Sequence, residues 1–456
     1  MTKNLTTGSV SKTLMLFSLP LLLSTLLQQF YNVADSMIVG RFVGESGLAA
    51  IGAAYPITLF IVAVGTGTSM GCSVVLSMLF GAGRRDRYST ASCTALIAFS
   101  VLGVILSVAG VLLSRPVMLL LNASDDIIGD ASAYLAVYAV GAFAMLLYNA
   151  ASGIFIGFGD SKTPLFLLFV SSMVNVVLDY IVVRFFDGGV IGAAWATTVS
   201  QYLSALLGVV LLVDRLKKIS GGPVKVQFDR GILKDISVAA IPCILQQGSV
   251  ALTAAVIQSL LNTFSTAVIA GFEVGQKLHT FFYMCINTLG NAYSTFTAQC
   301  LGAGKHKRIR EGFRVTLLIA LGCVVVVIAL FQLLPSQLVG LFIDRAASPD
   351  VVQIGIQFLR TISPLYLLIC YIVATGGLLR GTGRSVTFFV ESILEFTVRI
   401  VMCFVLSKAW NSHTGVLWAW YFGSSSGFLM CLALSLHIFR TQLKPNPAAP
   451  EQLCGK

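Results

Sequence analysis

Two aspartates stand inside apolar segments: Asp35 in "QQFYNVADSMIVGR" and Asp179 in "NVVLDYIVV". On insertion scales an acid at the centre of a membrane helix costs about 2.5 to 3.5 kcal/mol. Neither has a Lys or Arg three or four residues away; the nearest, Arg41 and Arg184, lie toward the ends of their segments. Helical spacing gives both acids polar company. Gln28, Asn32 and Asp35 form one stripe, at steps of four and three. Asn175 and Asp179 share a face, as do Thr197 and Gln201, and as do Tyr134, Tyr138 and Asn149. Four polar faces can surround one cavity. In low-dielectric surroundings a carboxylate favours its protonated form, the more so beside a second carboxylate. It can take up and release H⁺, or bind Na⁺ with the help of Asn and Thr oxygens. Either event changes the charge of the site and can bias one of two conformations. A single Asn, Gln or Thr more often serves only to bind helices together. The set that includes both acids points to function.

The elements that must position these residues follow from composition. Of 456 residues 56% are hydrophobic and 11% charged, and the mean hydropathy is +0.88. Soluble domains carry about 25% charged residues, so the chain is expected to be an all-α polytopic membrane protein. Apolar stretches of spanning length fall near 12–39, 47–79, 89–114, 128–157, 163–184, 189–213, 233–263, 267–300, 312–334, 351–379, 385–408 and 413–439. The first is too long for a signal-peptide core and has no A-x-A-like cleavage pattern after it, so it is kept as a helix. That predicts twelve transmembrane helices in two pseudo-symmetric six-helix lobes. The boundaries are 1–213 for the N-terminal lobe, 214–232 for a cytoplasmic linker, 233–440 for the C-terminal lobe and 441–456 for a cytoplasmic tail.

The net charge of +11 sets topology and does not point to nucleic acid. Of the loop Lys and Arg, 22 fall at the termini and after even-numbered helices, from Lys3 to Lys456. Only Arg41, Arg115, Arg184, Arg345 and Lys408 fall on the other side. The positive-inside rule then places both termini and the linker in the cytoplasm. The halves also repeat. "FGAGRRDR" (80–87) matches "LGAGKHKR" (301–308), Pro20 matches Pro242, "GFGDS" (157–161) matches "GTGRS" (381–385), and "GVIGAAW" loosely matches "GVLWAWY". A slowly drifting offset is a duplication, and six helices per half give both copies the same orientation. In this register Asp35 corresponds to Val256 or Ile257, and Asp179 to Cys403. The duplicated scaffold therefore does not require those acids.

Other motifs read more plainly. The two GAG-plus-basic loops follow long helices and are expected to be glycine caps; no P-loop pattern occurs. "GTGTSMG" (65–71) lies inside the second helix and is expected to permit close packing or bending. Pro20 and Pro242 are expected to kink the first and seventh helices. The ten cysteines and four histidines show no metal-ligand spacing, and disulfides are not expected. Glu273 has Lys277 four residues on, and Glu395 has Arg399 four residues on, so each pair can neutralise itself locally; Glu391 sits one turn before Glu395. Among polar residues of the seventh helix, Gln258 and Asn262, with Glu273 of the eighth, are candidate second-lobe contributors. No convergent nucleophile, base or metal constellation supports an enzyme.

Together, the paired sixes, the GAG-plus-basic loop at both repeat ends, "NVADSMIVGR" and "NVVLDYIVV" resemble the multidrug and toxic compound extrusion (MATE) family. "IAGFEVGQKLHTF" and "STFTAQCLGAGKHKR" resemble the eighth helix and following loop of its bacterial members. The resemblance covers nearly the whole chain. It implies a central cavity and export of amphipathic organic cations in exchange for H⁺ or Na⁺ by alternating access, across the cytoplasmic membrane, without a further cofactor. It carries the coupling site over to Asp35, Asn175, Asp179 and Thr197, with Thr198 as a neighbouring alternative, and gives any Na⁺ a place at Asp35 and Asp179. Gln28, Asn32, Tyr134, Tyr138, Asn149 and Gln201 are the cavity candidates. Partners are then small-molecule cations and the lipid bilayer, with the chain monomeric because two lobes can enclose a pathway alone. The alternative is a flippase for a lipid-linked precursor, which wants basic cavity residues for phosphates; Arg360 and Arg399 are its candidates.

Overall fold

The computed structural model describes residues 4–186, 188–220, 226–343, 348–441 and 443. Lys3, Lys225, Arg345, Lys444 and Lys456 of the charge pattern, and nearly all of the 441–456 tail, lie outside the described residues. Those described are helical almost throughout, without a strand among them. The first half contains α1 (Val10–Phe42), α2 (Glu45–Gly81), α3 (Arg85–Leu120), α4 (Asp125–Gly157), α5 (Lys162–Phe185) and α6 (Gly189–Ser220). The second contains α7 (Arg230–Leu261), α8 (Thr266–Gly302), α9 (His306–Leu333), the short α10 (Pro335–Val339), α11 (Pro349–Ile362), α12 (Tyr366–Gly381), α13 (Ser385–Trp410) and α14 (Thr414–Thr441). A single 3-10 turn, Ser363–Leu365, joins α11 to α12, and the two make one span, so the described residues form twelve. Ten of these are long and apolar enough to cross a membrane. The other two are α8, rich in Asn, Thr and Tyr, and α13, which carries Glu391, Glu395 and Arg399.

The duplication is visible in the helix ends. At the end of α2, Ala82 N donates to Met78 O, Gly83 N to Phe80 O and Arg84 N to Leu79 O; at the end of α8, Ala303, Gly304 and Lys305 donate to Gln299, Leu301 and Cys300 in the same pattern. Gly83 and Gly304 sit at φ +69° and +67°, the left-handed conformation that glycine adopts without steric cost. The GAG loops are therefore C-caps. Gly159 and Gly383 repeat the arrangement after α4 and α12, at +75° and +77°. Beyond the first of these, Asp160 Oδ1 accepts from Lys162 N and Thr163 N to open α5, and its Oδ2 pairs with Arg215 at 2.6 Å.

The chain forms two compact units: one of residues 1–5 and 19–244, the other of 6–18 and 245–456. The divisions inside α1 and α7 fall within two residues of Pro20 and Pro242, so each proline lies where its helix passes from one unit into the other. In the first unit the start of α7 packs on "GTGTSMG". A Cβ at Gly67 would stand 2.8 Å from Ile244 N, and one at Gly71 would stand 2.9 Å from Ala240 Cα. Those glycines exist for close packing. The residues before α7 dock on α3 as well, Asp229 N donating to Thr94 Oγ1 at 3.0 Å and Thr90 Oγ1 to Gln227 Oε1 at 3.1 Å. In the second unit, Lys305 and Arg308 grip the carbonyls of Thr6, Thr7 and Gly8 ahead of α1.

Candidate functional site

Within the first unit α1, α4, α5 and α6 bring a polar group together. Asp179 is fully buried on α5. Neither of its carboxylate oxygens meets a hydrogen-bond donor among the described residues, and Asp35 of α1 and Asn175 of α5 lie beside it. Asp35 and Asp179 approach within hydrogen-bonding reach of each other. Asn175 is 1% exposed; its Nδ2 donates to Thr197 Oγ1 of α6 at 3.2 Å, and its Oδ1 has no donor. Thr198, the neighbour, instead donates to Val137 O of α4 at 3.1 Å. That bond fixes the rotation of α6 and leaves Thr197 as the hydroxyl on the site.

Aromatic hydroxyls close the group. Tyr31 hydrogen-bonds with Thr197 and lies in electrostatic range of Asp35, Asp179 and Tyr138. Tyr134 and Tyr138 stack, ring centroids 6.1 Å apart, and both face Asp35 electrostatically. Tyr31 is the member that the sequence reading passed over. Its signal is the i,i+4 spacing to Asp35. Gln28 and Asn32 are both exposed, whereas Tyr31 and Asp35 are half-buried.

The other candidates lie apart. Asn149 donates to Met145 O at 2.9 Å and packs under Gly65 of α2, three turns along α4 from Tyr138. Gln201 lies against Gly141, where a Cβ would stand 2.8 Å from its Oε1. In the second unit the half-buried Gln258 donates to the exposed Asn262 at 3.0 Å, at the end of α7. Glu273 and Lys277 are exposed, and no ion pair joins them among the described residues. Such an exposed pair is worth only about 0.3–0.5 kcal/mol, too little to hold two long side chains in register. Glu395 and Arg399 do pair, and Arg399 lies 4.3 Å from the centroid of Trp420.

Chemically, three buried acceptor oxygens without a donor, two on Asp179 and one on Asn175, attract a cation. A proton there lets one aspartate donate to the other. A small metal ion is instead offered carboxylate, amide and hydroxyl oxygens, the hard ligands that alkali and alkaline-earth cations prefer.

The MatE family model matches the chain twice, over residues 20–181 and again over 242–405. The chain belongs to the MatE family. The two matches coincide with the two halves of the duplication. Among MatE relatives, the probable multidrug resistance protein YoeA of Bacillus subtilis is 26% identical over 421 residues, 91% of this chain and 90% of its own. The multidrug export protein MepA of Staphylococcus aureus is 24% identical over 431 residues, 94% of each. A solved MATE structure in complex with MaD3S superposes with a TM-score of 0.90 at 22% identity, covering 97% of this chain and 99% of that one. The MatE fold, an all-α membrane transporter architecture of twelve spans in two lobes, is thus the fold of this protein.

Proposed function

We propose that this protein is a secondary antiporter that exports organic cations across the cytoplasmic membrane, driven by inward flow of H⁺ or Na⁺ through Asp35 and Asp179. The observation that carries the reading is the fully buried Asp179 carboxylate without a donor, facing a second carboxylate. A structural acid in that position would be paired, because an unpaired intramembrane charge is costly. Binding of a cation lowers the negative charge of the carboxylate pair by one, and its release restores it, so the two states of the site favour different conformations of the helices around it. Alternating access follows when those conformations open to opposite faces. The N-terminal lobe, residues 1–213, carries this coupling site, with both termini in the cytoplasm. The printed names of the relatives above support small-molecule export. The stacked Tyr134 and Tyr138 offer π faces to flat organic cations. The flippase alternative loses Arg399, which is committed to Glu395 and Trp420.

The test is efflux of a fluorescent organic cation from proteoliposomes, driven separately by a pH gradient and by a Na⁺ gradient. Wild type is expected to respond to one of them, and that response names the ion. Asp35→Asn is expected to bind the dye yet lose the response. Wild-type efflux from Asp35→Asn would remove Asp35 from the mechanism.

A further inference from the structure

The second unit buries a carboxyl that the exchange reading leaves unused. Glu391 on α13 is 1% exposed, and its Oε1 meets no hydrogen-bond donor among the described residues. The ionisable groups around it come from every helix packed there: Glu395 and Arg399 from α13, Arg380 from α12, Cys431 from α14 and Tyr283 from α8. Arg399 forms the ion pair with Glu395. Arg380 donates to Asn291 Oδ1 at 3.0 Å and stacks 4.5 Å from the centroid of Phe388. The Thr375 hydroxyl, also fully buried, has no partner either, and Cys431 lies beside both it and Glu391.

Gly427 of α14 gives this cluster its shape. A Cβ at 427 would stand 2.9 Å from Glu391 Oε1 and 3.2 Å from Glu395 Oε2. The two carboxyl groups therefore converge on a space that a glycine leaves open. One carboxylate has its arginine; the other brings an oxygen with no donor.

We infer that Glu391 is a proton-binding site of the second unit, its Oε1 and the Glu395 carboxylate converging over Gly427. Uptake is a simple protonation, Glu391 carboxylate plus H⁺ giving the carboxylic acid, with no other bond broken. The proton is held where the two carboxyls converge and shifts the charge of the cluster of Glu391, Glu395, Arg399 and Arg380 by one. The site shares no residue with Asp35 and Asp179. Proton binding at Glu391 stands without the exchange reading, and only its use in a transport cycle rests on that reading.

The experiment is pH-difference infrared spectroscopy of the purified full chain in detergent, where protonated carboxyls absorb apart from carboxylates. Asp35→Asn/Asp179→Asn serves as the background, so those two acids contribute nothing. A protonated-carboxyl band is expected to grow as pH falls. It is expected to vanish in Glu391→Gln and to persist at a displaced frequency in Glu391→Asp, which also shows that the packing tolerates substitution. Added Na⁺ at constant pH is expected to leave it unchanged. Identical difference spectra with and without Glu391→Gln would overturn the assignment. A band abolished by Na⁺ would overturn it too, in favour of a metal-cation site. Failure of the transport test alters neither outcome.

Discussion

Asp179→Asn is expected to make the protein more stable while stopping ion-driven export. Asp179 is fully buried, neither carboxylate oxygen has a donor, and Asp35 faces it. A buried polar atom left unpaired costs about 1–3 kcal/mol, and more when it is charged. Asparagine has the same shape, carries no charge, and presents an Nδ2 that can donate to the Asp35 carboxylate. The expected gain is about 1–3 kcal/mol at alkaline pH, where the wild type holds a buried negative charge. The sign of the pH dependence follows. The wild-type penalty belongs to the ionised acid, so it is full at high pH and fades as the acid takes up a proton, whose O–H can then serve Asp35. The advantage of the variant should therefore shrink as pH falls. Thermal melting of both proteins in detergent across a pH series reads this directly. A variant that melts below wild type at every pH, or a gap that ignores pH, would refute the reasoning: Asp179 would then be a satisfied structural carboxylate.

Five further substitutions test the geometry. Thr197→Val removes the acceptor of Asn175 Nδ2 and is expected to slow efflux, whereas Thr198→Val, which loses a bond to Val137 O, should lower stability by about 1 kcal/mol with efflux kept; equal effects on transport would undo the distinction. Arg215→Ala strands the buried Asp160 carboxylate, which keeps its bonds from Lys162 N, Thr163 N and the Thr163 hydroxyl, so a loss of about 1–3 kcal/mol in melting experiments is expected. Gly83→Ala and Gly304→Ala meet no atom within 4 Å, so each should lose only the left-handed backbone penalty, about 1 kcal/mol; unequal losses would show that the two caps are not equivalent.

Much of this protein is legible in its sequence because the bilayer makes the rules severe. Ten of the twelve spans are long and apolar enough to follow from hydropathy, and the GAG caps follow from glycine at matched positions after long helices. Asp35 and Asp179 stood out because no base lay within a turn, and the structure brings those two together with Asn175 and Thr197. What sequence spacing misses is depth and reach. Asn149 shares a helical face with Tyr138 but lies three turns away, since a face says nothing of height along the axis. Tyr31 has a ring long enough to carry its hydroxyl to Thr197 on another helix. Gln201 turns toward Gly141 because a missing side chain on α4 leaves room there. The ladder Glu391, Glu395, Arg399 reads as one local network, although a single guanidinium commits to Glu395 and leaves Glu391 Oε1 without a donor.

The duplication carried a scaffold forward and left the chemistry free to diverge. In the register of "GFGDS" and "GTGRS", Asp179 corresponds to Cys403, Asn175 to Arg399, and Glu391 to Leu167. Both halves thus place buried acids on their fifth span, α5 and α13, yet at different depths. Twelve residues separate Glu391 from the counterpart of Asp179, about 18 Å along a helix at 1.5 Å per residue. Had both acids been inherited from one ancestral half, they would lie at matched heights. Their mismatch means that the two sites are not copies of one another, and at each a small or polar neighbour makes the burial possible: Asn175 and Thr197 around Asp179, Gly427 and Thr375 around Glu391. An acid is costly in the membrane wherever it sits. The chain keeps two such groups in unrelated positions, and in both an acid oxygen is left without a donor, which is the condition under which a carboxyl responds to a proton and does not merely hold helices together.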